Sequence, residues 1–306
     1  MPSIEWNQRE WGAAYSWPGQ GSEWSAPWGD VGTHWFATIL PRIRNFLPCG
    51  ALLEIAPGHG RWTGYLLSSC DRYIGVDLAE ACVQACKERF GYAENATFLA
   101  NDGRSLPTIA DGSIDFVFSF DSLVHSEADV IGAYIAELAR VLAPDGIGFI
   151  HHSNLGAHLP SLVLARLLEK AVDRLRPILH ALKPLRIDRW DHARAKSMTA
   201  KRFADACGNA GLACVGQEII EWGQARKMID CFSLVARPNS HWDRPNIVVS
   251  NTDFMGEAFS ARRVASLYSS LGTTAGLAPA PARVGPLGGR LFAVRRPARV
   301  QKNGPD

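Results

Sequence analysis

The sequence predicts an α/β chain built on a doubly wound parallel sheet. Three observations predict it. Short apolar runs alternate with helical stretches at intervals of about 20 to 35 residues. Runs such as "ALLEIA" are apolar at nearly every position and bounded by Gly and Pro, the pattern of strands buried on both faces. The helical stretches between them end on stop signals, as at Gly91 and at Pro144-Asp145-Gly146.

Each element follows in order. "WFATILPRIRNFL" is a short helix interrupted near Pro41. "ALLEIA" is the first strand and "GRWTGYLLSSC" the helix after it. "RYIGVDL" is the second strand. "AEACVQACKERFG" places Ala, Val and Phe on one helical face. "ATFLAND" is the third strand, and "IDFVFSF", rich in Phe and Val, the fourth. "ADVIGAYIAELARVLAPDG" is an amphipathic helix and "IGFIHHS" the fifth strand. The alternation then lapses into a helical insertion at 155–196. A capped helix, "SMTAKRFADACGNAGL", and two late strands, "ACVGQEIIEW" and "DCFSLVARP", follow. A C-terminal helix is expected within 241–270 and a Gly/Pro/Ala/Arg-rich flexible tail over 271–306. Ahead of all this, six of the ten tryptophans (6, 11, 17, 24, 28 and 35) fall in residues 1–35, among Gly, Ser and Pro.

Composition narrows the function classes. At 306 residues, 47% hydrophobic and 20% charged, the chain can bury a sizeable core. A formal net charge of +2 gives no long-range attraction for nucleic acid. No run of 18 apolar residues suggests a membrane span, and the N-terminus lacks the apolar core of a secretory signal. Seven scattered cysteines without a CxxC pair read as free thiols in a reducing, cytoplasmic setting. No His/Cys/Asp cluster has metal-ligand spacing, so no metal is expected; Asp121 with another carboxylate is the one alternative.

Doubly wound sheets bind ligands beyond the carboxyl ends of their strands. There the sequence places "EIAPGHG", Asp77, "NDG", "FDSLVH" and "HHSN". The Gly58-x-Gly60 turn lets a ligand approach the backbone, but alone it would suit a dinucleotide, a phosphate or nothing. A nicotinamide-binding turn wants G-x-G-x-x-G; here Thr63 holds the third glycine's place. Glu54, Asp77 and Asp102 instead put three acids at three successive strand ends. That suits an adenosine carrying positive charge better than a pyrophosphate.

These motifs, from "LLEIAPGHGRW" through "YIGVDL", "FLANDG" and "FVFSFDSLVH" to "GFIHHS", resemble the class I S-adenosylmethionine-dependent methyltransferases over residues 50 to 153. The resemblance implies a Rossmann-like sheet, mostly parallel with an antiparallel last strand, and S-adenosyl-L-methionine as cofactor. It implies that Glu54, Ala56, Gly58, His59 and Gly60 shape the methionine end. Asp77 and Leu78 would take the ribose side; Asn101, Asp102 and Gly103 would face the adenine. Phe120 and Asp121 would line the cofactor and face the substrate. Ala56 and Pro57 depart from the family's E-x-G-x-G-x-G, and Pro57 removes a backbone donor. The amides of Gly58, His59 or Gly60 are expected to serve in its place.

The domains are then a Trp-rich N-terminal lid segment (1–35), a methyltransferase domain (36–240) with its helical cap (155–196), the C-terminal helix and the tail. The Trp segment could equally be plain packing. The expected reaction is O-methylation of a small-molecule or saccharide hydroxyl. "FDSLVH" lacks the Asn/Asp-Pro-Pro-aromatic signature of nucleobase methylation. Histidine suits general base work, and the candidates are His125, His152 and its strand neighbour His151. N- or C-methylation, a non-catalytic adenosyl-binding regulator and an NAD-dependent oxidoreductase are the alternatives. Arg166, Arg174, Arg176 and Arg186 in the insertion read as a solvated face.

Overall fold

In the computed structural model, residues 3–160, 193–223 and 227–269 are described, together with the single positions 163, 164, 167 and 172. Most of the helical cap, its four arginines and the tail lie outside the described residues.

Eight strands form one sheet: β1 (Cys49–Ile55), β2 (Cys70–Asp77), β3 (Ala96–Ala100), β4 (Ile114–Ser119), β5 (Leu142–Ser153), β6 (Ala213–Ile220), β7 (Asp230–Ala236) and β8 (Ile247–Asn251). Their spatial order is β3-β2-β1-β4-β5-β7-β6-β8. β1 to β5 are parallel, as the alternation predicts. β7 is the reversed strand, antiparallel to both β5 and β6. It is not the last one in space: β6 lies beyond it, and β8 adds in parallel outside β6. The stretch expected to hold only a C-terminal helix therefore holds β8 as well, followed by the helix Phe254–Tyr268.

The chain passes outward twice from the middle of the sheet, so its order reverses between β1 and β4. Both strands are buried along their inner lengths, as the unbroken apolar runs require. Side-chain alternation sends Leu52 to one core and Leu53 to the other. One face packs on the N-terminal segment and the helices Glu80–Phe90 and Phe254–Tyr268; the other packs on Ala128–Val141 and Ala200–Asn209.

The Trp-rich segment is helical rather than irregular. A helix Ile4–Arg9, N-capped by Ser3, runs into a π-helical turn, and a 3₁₀ stretch covers Ser22–Trp28. Trp28 and Trp35 are buried in the core. The Trp28 indole N–H donates to Thr38 Oγ1 at 2.7 Å, which removes the cost of burying it. Just after the segment, Arg42 clamps Glu218 of β6 with two bonds of 2.6 and 2.7 Å, fixing the helix Leu40–Ile43 to the late strands.

Phe116 sits at the centre of β4, fully buried against Phe46 and Phe118. Phe116→Ala should lower unfolding free energy in urea by about 3 to 5 kcal/mol, from lost transfer energy plus a cavity. A loss under about 1 kcal/mol would contradict this placement of the core.

Candidate active site

A cleft opens at the carboxyl edge of the sheet, where strand order reverses. It encloses about 770 Å³ of empty space, part of it open to solvent. Its floor comes from the strand ends: Ala56 and Gly58 after β1, Asp77 and Leu78 at β2, Gly103 after β3. Asp121, Ser122 and His125 after β4 form one side, with Val130 and Tyr134 behind them. Trp11, Trp17 and Trp24, with Ile4 and Asn7, close it from the N-terminal segment. That segment is pinned where Asn7 Nδ2 donates to the His125 carbonyl at 3.0 Å.

Asp77 is buried and shapes the floor. Its two oxygens accept the Gly58 N–H at 3.0 Å and the Ala79 N–H at 2.9 Å. Burial pushes its carboxyl up to about 6 against these bonds. Asp77 also lines the cleft, and two carboxylate oxygens can accept more hydrogen bonds than these. Gly58 has φ +59, and a Cβ there would meet Trp17 Cη2 at 2.6 Å, so only glycine fits beneath the indole. Of the amides expected to replace that of Pro57, the Gly58 N–H is taken by Asp77 and the Gly60 N–H by the Pro57 carbonyl.

Several expected residues stand elsewhere. Glu54 is buried beneath the turn, where Thr63 Oγ1 at 2.8 Å and the Tyr73 hydroxyl donate to it. Burial pushes it up to about 7, and it props the turn without lining the cleft. His59 stacks on Trp17 with centroids 4.3 Å apart. Gly60 is packed under Phe90. Asp102 does not face the cleft: it is exposed, and its Oδ1 accepts from Arg104 N and Ser105 N at 2.8 and 2.7 Å in a tight turn. Asn101 braces Gly103 and Tyr134 from behind. Phe120 points into the aromatic core, beside His151, His34 and Trp62 at 4.9, 5.5 and 5.6 Å.

The histidines separate cleanly. His125 lines the cleft, with Nδ1 3.0 Å from the Ala193 carbonyl. That bond puts the hydrogen on Nδ1 and the lone pair on Nε2. Burial, and then the Arg194 charge, push it down to about 4. His152 lies away from the cleft and is a correction to the expected bases. Its Nδ1 sits 2.9 Å from the Ser153 carbonyl, its Nε2 2.8 Å from Ser233 Oγ, and its ring stacks on Phe203 at 4.3 Å. Neither nitrogen is left to take a proton from a substrate.

Asp121 is an ion-pair carboxylate. Arg61 Nη2 donates to Oδ2 at 2.9 Å, and Arg194 Nη2 is 3.5 Å from Oδ1. Burial pushes its pKa up, but the two guanidiniums outweigh that and hold it below the usual carboxylate range. Arg194 also forks onto the buried Asp230 of β7 with bonds of 2.8 to 3.2 Å. The Asp121 N–H donates to His151 Nδ1 at 3.0 Å. Sequence reasoning missed Arg61, Arg194 and Asp230. The one available signal was an acid opening the apolar run "DCFSLVA". Among the described residues, no group of three or more His, Cys, Asp or Glu is placed to hold a metal ion, and no helix is long and apolar enough to cross a membrane.

Ala56 and Asp121, at the ends of the two central strands, both adopt left-handed backbone, with φ of +58 and +61. For alanine this costs about 1 to 2 kcal/mol. Ala56→Gly should therefore be neutral or stabilising by up to about 1 kcal/mol in urea unfolding, against the usual loss for Ala to Gly. A loss of about 1 kcal/mol would show that the position carries no strain.

Residues 52–146, from Leu52 in β1 to Gly146 in β5, match the family described as a methyltransferase domain. The biotin biosynthesis bifunctional protein BioHC of Cellvibrio japonicus is 27% identical over 56% of this chain and 40% of its own length. Phosphoethanolamine N-methyltransferase 1 of Triticum aestivum is 30% identical over 37% of this chain and 24% of its own. The chain thus spans less than half the length of either relative. Among solved structures, the PH0226 protein of Pyrococcus horikoshii aligns at TM-score 0.45 and 18% identity, over 68% of this chain and 89% of that one. The methyltransferase-domain match runs from β1 into the start of β5, the strands whose ends make the cleft, and over that stretch the chain is similar to methyltransferases.

Proposed function

We propose that this protein transfers a methyl group to an oxygen of a small-molecule or saccharide acceptor in the cleft under the Trp-rich segment. The observation that carries this reading is Asp77: a buried carboxylate at the end of β2, anchored by two backbone amides and open to the cleft. A buried acid with spare acceptor sites fits the paired hydroxyls of a ribose. The rest of the lining fits an adenosyl group too. Leu78, packed on Gly103, offers an apolar surface for adenine, and Asp102, turned outward, takes no part. Trp11, Trp17 and Trp24 would cover the bound cofactor.

Bound there, S-adenosylmethionine supplies an electrophilic methyl group. The protein's share is alignment and proton removal. Asp121 is held by Arg61 and Arg194, so it orients and polarises and is a poor base. His125 is the base in this reading: its Nε2 carries the lone pair and its ring stands in the cleft wall. Trp6 and Trp11 pack on that ring, at 6.2 and 5.2 Å, and keep it oriented. The phosphoethanolamine N-methyltransferase 1 named above and a ribosomal RNA small subunit methyltransferase A carry different acceptors in their names. The choice of oxygen rests on His125 alone.

Calorimetry should show S-adenosylhomocysteine binding, weakened at least about tenfold in Asp77→Ala, which loses charge-assisted bonds. Tight NADH binding with no heat from the adenosyl ligand would refute the reading. His125→Ala should abolish turnover and keep adenosyl affinity; undiminished turnover would remove it from the mechanism. The acid limb of kcat/KM should also be displaced. His125 is neutral, and able to accept a proton, at every pH above about 4. Activity should persist below the ordinary histidine range near 6.5 and fall only toward pH 4. An acid limb at the ordinary value would assign the base elsewhere.

A further inference from the structure

The cleft changes character away from Asp77. On its far side stand His125, Asp121 and the indoles of Trp11 and Trp24. Trp11 lies 5.2 Å from the His125 ring, Trp24 meets Trp11 edge-on at 5.6 Å, and the Arg61 partner of Asp121 lies 5.5 Å over Trp24. Among the described residues, no Lys or Arg lines the cleft, and its carboxylates are Asp77 and Asp121. Asp121 is already balanced: it pairs with Arg61 and Arg194, and Arg194 pairs with Asp230. An anion entering this side would be buried without a partner, and so would a cation. Polar capacity is largely spent as well. Asn7 gives its two amide hydrogens to the Ser3 and His125 carbonyls, Trp11 gives its N–H to Asn7, and Ser122 gives its hydroxyl to the Ala56 carbonyl. A saccharide would bury most of its hydroxyls here unpaired. The base adds a second requirement. Burial holds His125 down to about 4, which makes it a weak base. Such a base takes a proton readily only from an acidic hydroxyl, and phenols ionise near 10 (about the tyrosine value), well below alkyl alcohols.

We propose that the methyl acceptor is an uncharged phenol, with its ring against the indoles of Trp11 and Trp24 and its hydroxyl on His125 Nε2. The proposal rests on the methyltransferase reading and narrows its acceptor from any hydroxyl to an aromatic one. A flat ring fits walls made of indoles, where aromatic pairs gain energy beyond the area they bury. The transfer balances. The phenol oxygen bonds to the methyl carbon while its proton passes to His125 Nε2. The carbon–sulfur bond breaks, and sulfur keeps the electron pair. An aryl methyl ether, a neutral thioether and a protonated His125 result.

The test is calorimetric titration of the full-length protein, saturated with S-adenosylhomocysteine, with 2-naphthol, 6-hydroxy-2-naphthoate and decahydro-2-naphthol. 2-Naphthol should bind at least about tenfold more tightly than the naphthoate, whose charge finds no partner, and about fivefold more tightly than the decahydro alcohol, which has no flat ring. Labelled methyl should pass from S-adenosylmethionine to 2-naphthol and not to the decahydro alcohol. Trp11→Leu removes the indole beside His125; it should weaken 2-naphthol about fivefold and leave the decahydro alcohol unchanged, a split that general loosening of the cleft would not give. If Trp11→Leu fails to fold, Trp24→Leu replaces it, with the same split expected. No binding or methylation of 2-naphthol, tighter naphthoate, equal binding of the decahydro alcohol, or equal losses for both in the folded variant would each overturn the phenol assignment. Absent heat from S-adenosylhomocysteine itself would instead strike the underlying methyltransferase reading, so the two failures are separable.

Discussion

One buried carboxylate, Asp121 between Arg61 and Arg194, organises the catalytic edge of the sheet. Taking these charges out of water is costly, and only close pairing offsets it. The pairs draw together the turn after β1, the end of β4, the start of β7 and the residues leading out of the helical insertion. The Asp121 amide adds β5 through His151. Asp121 takes its left-handed backbone at the point where the sheet reverses, a conformation aspartate tolerates better than most residues. The cleft is thus bounded on one side by backbone geometry and on the other by charge.

The Trp-rich segment completes what the sheet cannot. Strand ends supply polar groups and glycine turns but no cover. The indoles give wide apolar faces at little conformational cost. Trp17 settles on His59 and over Gly58, and its N–H donates to the Trp11 carbonyl at 2.9 Å. Trp11 in turn donates to Asn7, which holds the His125 backbone. Aromatic cover, candidate base and turn therefore form one connected unit.

Much of the fold was legible because burial on both faces leaves unbroken apolar runs between glycine and proline stops. β8 was not. Ile247, Val248 and Val249 are all more than half exposed at the sheet edge, so no burial pattern marks the strand. In the site, Asp77 and the glycine turn could be placed by spacing, because strand ends face the cleft whatever their neighbours do. Asp102 ends a strand as well, yet its side chain folds back on its own backbone, which spacing cannot show. Phe120 is directed by packing against rings from four other segments. His125 and His152 are both candidate bases in sequence; the partners at Ser233 and Ala193 tell them apart. Arg61, Arg194 and Asp230 pair across long stretches of chain, and no local pattern announces such pairs.

The central claim is that the cleft floor around Asp77 holds the adenosyl group. A crystal structure of the complex with S-adenosylhomocysteine tests it most directly. The account predicts both ribose hydroxyls within hydrogen-bonding distance of the Asp77 carboxylate, adenine against Leu78, and the indoles of Trp11 and Trp17 above the ligand. An adenosyl group bound away from Asp77, with that carboxylate still engaged only by the Gly58 and Ala79 amides, would contradict it.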